Sequence, residues 1–417
     1  MTGLVDCNNF FVSCERTLNP SLEGRAVVVL SNNDGCVVAR SNEAKKLGIR
    51  MGQPAFEIKD IINKGQVIAL SGNHLLYRAI SIRLHDIFRE YAPSTTDYSV
   101  DEAFLDMTGI PVDALEDIGK EMVARCWNDE HIPVTIGFAT TKTLAKIATE
   151  YGKKNGVKVK VLVDRDEIGS ILDRMIISDL WGIGRRLAKR LHAKGIYTIG
   201  DFARCPRQWV RSEMGVTGER SWCELKGEAC IDLDHVDRNL QDSVSESRTF
   251  PIDIDDFDYM RSRIAIYCNH VARRLRAMGG QCEEMCVWLT TNRFHLERGY
   301  SAPTATTTFS PPTSDSSVIA TTGIALLEHI FQPGCLYKRA GVVLNKITPA
   351  TSFAPTLFED GESQRIAVLR SKRLMNAIDK VNTKSNPQVV RLAVELTKGH
   401  VGHNDGYSSS FGPAKPL

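Results

Sequence analysis

Two adjacent carboxylates, Asp101 and Glu102, stand in the stretch Tyr98-Ser-Val-Asp-Glu-Ala-Phe-Leu-Asp106. They fall at a corner between two β-like apolar segments, Thr96 to Val100 and Ala103 to Met107. Neighbouring side chains on a strand point to opposite faces, so the pair cannot share a core. At a turn they can converge on one point. Like charges that close raise each other's proton affinity unless a cation lies between them. Asp6, at the end of the first apolar run Gly3-Leu-Val-Asp6, can add a third carboxylate at one sheet edge. Hard oxygen ligands on a rigid edge suit Mg²⁺, which keeps waters and takes substrate phosphates as its remaining ligands. Two such ions about 3.5–4 Å apart serve phosphoryl transfer at the attacking and leaving oxygens. A solvated turn is the plainer account of any lone Asp-Glu pair; the two apolar flanks and Asp6 favour the metal site.

A second group is Leu180-Trp-Gly-Ile-Gly184, followed by Arg185, Arg186, Lys189, Arg190 and Lys194. A Gly-x-Gly between two short helices resembles a helix-hairpin-helix. Its glycines let backbone N–H groups approach a phosphate, and the next helix N-terminus adds favourable potential. A GxG turn alone is weak; the five cations after it favour DNA-backbone binding. Lys142, Lys146, Lys153 and Lys154 are helix and turn lysines that solubility alone would explain.

The elements that must position these groups follow from periodicity and turn residues. Strands are expected at Gly3 to Asp6, Arg25 to Leu30, Cys36 to Ala39 and Ile132 to Ala139. Helices are expected at Asn42 to Leu47, Asn73 to Tyr91, Asp113 to Asn128 and Lys142 to Tyr151. Between the first two strands lies Phe10-Phe-Val-Ser-Cys14, set off by the turn residues Asn8 and Asn9. From 166 to 226 short helical segments and frequent glycines predict a compact helical domain. The strip 227–247 reads as an acidic linker. After it, strand, long helix, two strands, helix and strand run from Ser243 to Ile347. That is the β-α-β-β-α-β, ferredoxin-like order. Beyond Pro349 a helix from about Ser363 to Val381 precedes a Gly/Ser/Pro-rich end expected to be disordered.

Composition narrows the function classes. The chain has 417 residues, enough for two to four domains, and 42% apolar content excludes wholesale disorder. No apolar run approaches the ~18 residues of a spanning helix. The N-terminus lacks the basic region of a signal peptide. Eleven cysteines without a CxxC pair fit reduced thiols in the cytoplasm. A whole-chain charge of +2 hides segregation: residues 1–141 carry −6, 142–226 carry +8 and 227–260 carry −8. Basic blocks on that scale raise the odds of a nucleic-acid partner.

Together these residues resemble Y-family translesion DNA polymerases, most closely the UmuC branch, the catalytic subunit of the polymerase V type. The resemblance rests on six motifs in order: Val5 to Glu15, Val29 to Arg40, Glu43 to Gly48, Tyr98 to Phe104, Thr141 to Lys146 and Trp181 to Arg186. It covers about 1–350 closely and the remainder loosely. The fold it implies is α+β and multidomain, a right hand with a ferredoxin-like palm. The palm would span 1–165 with small fingers inserted at about 22–75, and the family's UmuC catalytic domain about 2–188. A helical thumb would follow at 166–235, an acidic linker at 236–242, a β-α-β-β-α-β little finger at 243–348 and a partner-binding, partly disordered tail at 349–417.

The resemblance implies error-prone addition of deoxynucleotides to a primer opposite damaged template, with two Mg²⁺ ions, in SOS mutagenesis. Asp6, Asp101 and Glu102 match the catalytic metal-binding carboxylates, and Cys7 the position whose main-chain carbonyl joins them. Phe11 matches the steric gate beneath the sugar; the branch often has Tyr there, and Phe keeps the bulk without the phenol. Phe10 lies beside it at the nucleotide. Asn42 and Lys45 match finger positions near the triphosphate, often Tyr and Arg elsewhere, and Lys153 a palm lysine facing it. Gly182, Gly184, Arg185, Arg186 and Lys189 would hold DNA.

The partners implied are primer-template DNA, deoxynucleotides, a UmuD-like dimer, a recombinase filament and the sliding clamp, with no membrane. For the clamp, Ala354-Pro-Thr-Leu-Phe358 offers the apolar anchors Leu357 and Phe358, with Ala354 where relatives open on Gln. Two alternatives stay open: a nucleotidyl cyclase, which would need no basic thumb, and a non-catalytic DNA-binding protein, which would not need three intact carboxylates.

Overall fold

The computed structural model describes residues 1–31, 35–232, 241–295, 297, 299–350, 361–384 and 389–395. The expected clamp anchors Leu357 and Phe358, and most of the acidic linker, lie outside them. Strand β1 (Thr2–Cys7) is buried from Gly3 to Val5. Asn9 then takes a left-handed conformation (φ 49°), which Asn tolerates, and opens helix α1 (Phe10–Leu18). The Phe10–Cys14 stretch is therefore helical.

Strands β2 (Val27–Leu30) and β3 (Val37–Arg40), helices α2 (Asn42–Lys46) and α3 (Lys59–Asn63) and strand β4 (Ile68–Ser71) make a small lobe. Its sheet, in the order β3-β2-β4, closes a separate core of Val28, Leu30, Val37, Ala44, Ile49 and Ile58, joined by Val67. The chain returns through α4 (His74–Glu90), β5 (Ser94–Asp97), β6 (Glu102–Asp106), α5 (Leu115–Glu130), β7 (Val134–Ala139), α6 (Lys142–Asn155) and β8 (Val159–Leu162).

The main sheet runs β5-β6-β1-β7-β8, so β1 is central. It pairs antiparallel with β6 (Asp6 opposite Glu102) and with β7 (Asp6 opposite Thr135). One face packs on α4 and α5 and includes Val5, Leu105, Ile136 and Phe138. The other, with Leu4, Phe104 and Ala139, packs on α6. Gly137 makes the close fit of α6 possible: a Cβ there would lie 2.4 Å from the Thr149 nitrogen and 2.5 Å from the Ala145 oxygen.

Helices α7 (Arg165–Arg174), α8 (Arg185–His192), α9 (Ile199–Arg204) and α10 (Arg207–Leu225) form the helical segment. Its Ile171, Leu180, Leu191, Phe202 and Val210 join the core of the α6 face, so sheet and helices share one interior.

The chain divides into two compact units, residues 1–234 and 235–403. In the second, β9 (Ser243–Ile254), α11 (Phe257–Ala277), β10 (Gly280–Thr291), β11 (Thr304–Thr313), α12 (Ser316–Ile330) and β12 (Tyr337–Pro349) keep the expected chain order. The sheet order is β11-β10-β12-β9, with every neighbouring pair antiparallel. The last strand therefore fills the gap between β9 and β10, a split β-α-β unit. A further helix, α13 (Gly361–Lys384), belongs to this unit, and Arg276 of α11 takes Asp379 of α13 through two nitrogens at 2.7 and 2.8 Å. Buried Glu395 accepts from Asn269 Nδ2 (2.9 Å) while its carbonyl accepts from Ser262 Oγ (3.2 Å). Residues 361–395, where described, are thus bound to the second unit. Among the described residues no helix is long and apolar enough to cross a membrane.

Candidate active site

Directly opposed residues of an antiparallel pair share a face, and Asp6 and Glu102 are such a pair at the end of β1. Asp101 is joined to them through the backbone: the Cys7 N–H donates to the Asp101 carbonyl at 2.9 Å. The N–H groups of Tyr98 and Ser99 both donate to the Glu102 carbonyl, closing a tight turn. That turn spans 98–101, so β5 ends at Asp97, three residues before the expected end of its segment, and Glu102 opens β6 one residue early; the corner is wider than the expected Asp101-Glu102 pair.

Helix α6 faces the carboxylates. Thr141 caps it through a hydrogen bond from the Leu144 N–H, and it runs to Asn155, four residues beyond the expected end. Lys146 and Lys153 are seven residues apart, two turns on one helix face. Lys146 Nζ is 2.9 Å from Glu102 Oε1, and Lys153 pairs with Asp6. Asp101 is turned aside to accept from Ser99 Oγ at 2.6 Å. Burial pushes the Asp6 carboxyl up to about 7, against the pull of Lys153, with Glu102 and Asp101 pushing the same way. Burial likewise raises the Cys7 thiol.

Among the described residues no three His, Cys, Asp or Glu side chains are gathered tightly enough to hold a metal ion. The chemistry of the donor set nevertheless fits a hard cation. Asp6 and Glu102 lie side by side at one strand end with Asp101 in the adjoining turn, and Asp6 and Glu102 are each paired with a lysine. A cleft of about 320 Å³ opens there, lined by Asp6, Glu102, Lys146, Lys153, Asp179 and Trp181 among others.

Phe11 is half-buried and stacks on Tyr77, with centroids 4.3 Å and planes 14° apart. Phe10 departs from the expectation. Only 3% exposed, its side chain belongs to the core, with its ring 5.8 Å from that of Phe11. The Asn42 side chain accepts from Asn9 Nδ2 (3.2 Å) and from Lys45 Nζ (3.0 Å), tying the small lobe to the turn before α1. Burial, with Arg40 and Lys153 adding to it, holds the Lys45 ammonium below its ordinary value.

The Gly182–Gly184 turn follows a single 3-10 turn, Ile177–Asp179, rather than a full helix, and Gly182 is left-handed (φ 86°). Arg185, Arg186 and Lys189 at the start of α8 are exposed and make no ion pair among the described residues. Sequence reasoning missed two contributors. Lys146 was a lysine like any other, its only signal the seven-residue spacing to Lys153. Tyr77 falls outside any sequence motif, a single aromatic in the first turn of α4.

Comparison with known proteins follows the same lines. The impB/mucB/samB family profile matches residues 5–150 and that family's C-terminal domain matches 241–357. Protein UmuC of Salmonella typhimurium is 36% identical over 388 residues, 92% of this chain and 91% of that protein. The chain belongs to the impB/mucB/samB family. Protein SamB of Salmonella typhimurium is 34% identical over 92% of this chain and 90% of its own length. DNA polymerase IV of Pelotomaculum thermopropionicum is 27% identical over 98% of each. The Y-family DNA polymerase chimera Dbh-Dpo4(243-245)-Dbh superposes with a TM-score of 0.67, covering 84% of this chain and 99% of that one at 23% identity. This impB/mucB/samB member is thus a Y-family DNA-directed DNA polymerase of the UmuC branch, with the palm, fingers, thumb and little finger of that fold, and it serves translesion synthesis. Polymerases of the family use divalent metal ions.

Proposed function

We propose that this polymerase extends a primer across damaged template with Asp6, Asp101 and Glu102 as the catalytic carboxylates. The observation that carries the reading is the Asp6–Glu102 register pair, with Asp101 bonded to the neighbouring Cys7. Asp6, Asp101, Glu102 and the Cys7 carbonyl would hold two Mg²⁺. Bound there, the ions supply activation of the primer 3′-hydroxyl and charge neutralisation on the transferring phosphoryl group. Lys153, Lys45 and Asn42 orient the triphosphate, Lys153 exchanging Asp6 for a phosphate oxygen. Phe11 lies beneath the sugar and excludes a 2′-hydroxyl. The backbone of Gly182 and Gly184, with Arg185, Arg186 and Lys189, grips DNA phosphates without reading bases.

Small fingers enclose the templating base loosely, which tolerates damage and lowers fidelity. The work is cytoplasmic, in keeping with eleven unpaired cysteines. A UmuD-like dimer, a recombinase filament and the sliding clamp are its partners, the clamp through Leu357 and Phe358. The exposed cations of α8 speak against a nucleotidyl cyclase.

Primer extension on an abasic template with Mg²⁺ is the test. Extension past the abasic site is expected. Cyclisation of free nucleotides, or DNA binding with no extension at any template, would replace this reading with one of its two rivals.

A further inference from the structure

Glu15 and Tyr77 are buried titratable groups that take no part in the chemistry above, each 1% exposed. Glu15 lies on α1 one turn after Phe11, and Tyr77 lies in the first turn of α4. The Tyr77 hydroxyl donates to Glu15 Oε1 at 2.7 Å, a bond between residues 62 apart in the chain. The same Tyr77 ring lies nearly flat against Phe11, and His74 stands edge-on to both rings, at 5.7 and 5.8 Å. Phe11 borders a cleft of about 440 Å³ lined also by His74, Tyr77, Arg78 and Ser81 among others. An aromatic gate with free space beside it can rotate when a bulkier ligand presses on it, and a gate that gives way does not discriminate. Residues at i and i+4 share a helix face, so α1 presents Phe11 and the anchor of its backing ring together.

We propose that Glu15 and Tyr77 are positioning residues that keep the Phe11 ring rigid, so that sugar selection depends on a hydrogen bond that never touches the nucleotide. This rests on Phe11 being the sugar gate. Glu15 fixes the Tyr77 hydroxyl, the fixed Tyr77 ring closes the Phe11 side of the cleft, and Phe11 is left no second position.

The test is single-nucleotide insertion by the full-length chain opposite template thymine, comparing kcat/KM for dATP and ATP. Both sugars are measured on one preparation, so any inactive fraction cancels from the ratio. Tyr77→Phe, which removes one oxygen and keeps the ring, is expected to lower discrimination about tenfold, the factor that corresponds to about 1.4 kcal/mol. Glu15→Gln retains an oxygen that accepts from Tyr77 and is expected to keep most of the discrimination. Phe11→Ala is expected to lower it furthest. An unchanged ratio in Tyr77→Phe beside a collapsed one in Phe11→Ala would overturn the positioning role and leave the gate standing. A loss in Glu15→Gln with Tyr77→Phe unchanged would also overturn it, assigning the effect to the Glu15 charge. An unchanged ratio in Phe11→Ala would remove the gate itself.

Discussion

Asp6 bears much of the cost of burying a carboxylate beside Glu102: its side chain is 14% exposed, faces Glu102 and is pushed up to about 7. Lys153 and Lys146 offset that cost in the metal-free chain. Stripping divalent metal with EDTA is therefore expected to abolish nucleotide addition while moving Tm by less than about 2 °C, the lower end of what 1 kcal/mol does in a unit of this size. In Lys146→Met, Glu102 has lost its counter-charge, and Mg²⁺ is expected to raise Tm by about 2–4 °C, more than in the wild type; differential scanning calorimetry reads both. Asp101 and Glu102 were legible in the sequence because they are adjacent in it and flanked by apolar runs. Lys146 was not, because its bond to Glu102 spans 44 residues and nothing local marks it. The cradle of Phe11 was hidden for the same reason. Phe10 and Phe11 look alike as a dipeptide, and only the packing of α1 decides which faces the core.

At the scale of elements, periodicity was a good guide where elements are long. Helix α4 lies within one residue of its expected ends, and the β-α-β-β-α-β order of the second unit was readable throughout. It was silent for α1, only nine residues long and opening on the apolar run Phe10-Phe-Val12, and for β8, four residues whose Val159-Lys-Val-Leu162 is mostly half-buried. The pairing order of the second sheet was not legible, because the choice of which strand fills the gap lies in long-range packing. The fit of α6 on β7 gives a prediction at this scale. Gly137→Ala puts a methyl against backbone, where the neighbours cannot rotate away. Overpacking of this kind costs about 1–3 kcal/mol, and lifting α6 withdraws Lys146 and Lys153 from the carboxylates, so both Tm and insertion rate are expected to fall. At α8, reversing Arg185 and Arg186 to Glu is expected to weaken DNA binding equally on unrelated sequences. The slope of log K against log salt should flatten by about 0.9 for each duplex phosphate that is no longer neutralised, as fluorescence anisotropy over a salt series would show.

Over the whole molecule, the second unit extends past its sheet. Helix α13 and the segment to Glu395 are held by Arg276, Asn269 and Ser262 of α11, where the sequence suggested a partner-binding, partly disordered tail with one helix. The Arg276 side chain is only 8% exposed, so Asp379→Ala leaves a mostly buried guanidinium short of its acid. Hydrogen bonds to charged groups are worth about 1.5–3 kcal/mol. Hydrogen exchange is therefore expected to quicken across α11 and α13 and to stay unchanged in β1 and β6. The central claim, however, is that Asp6, Asp101 and Glu102 carry out nucleotide addition and do not hold DNA. Its most direct test measures two quantities on the same preparations of wild type, Asp101→Ala and Glu102→Ala: the single-turnover insertion rate with Mg²⁺ and the Kd for primer-template. Each variant is expected to lose on the order of 10³-fold in rate, with Kd within about twofold of wild type. Insertion by both variants near the wild-type rate, or a Kd that weakens in step with the rate, would contradict the assignment.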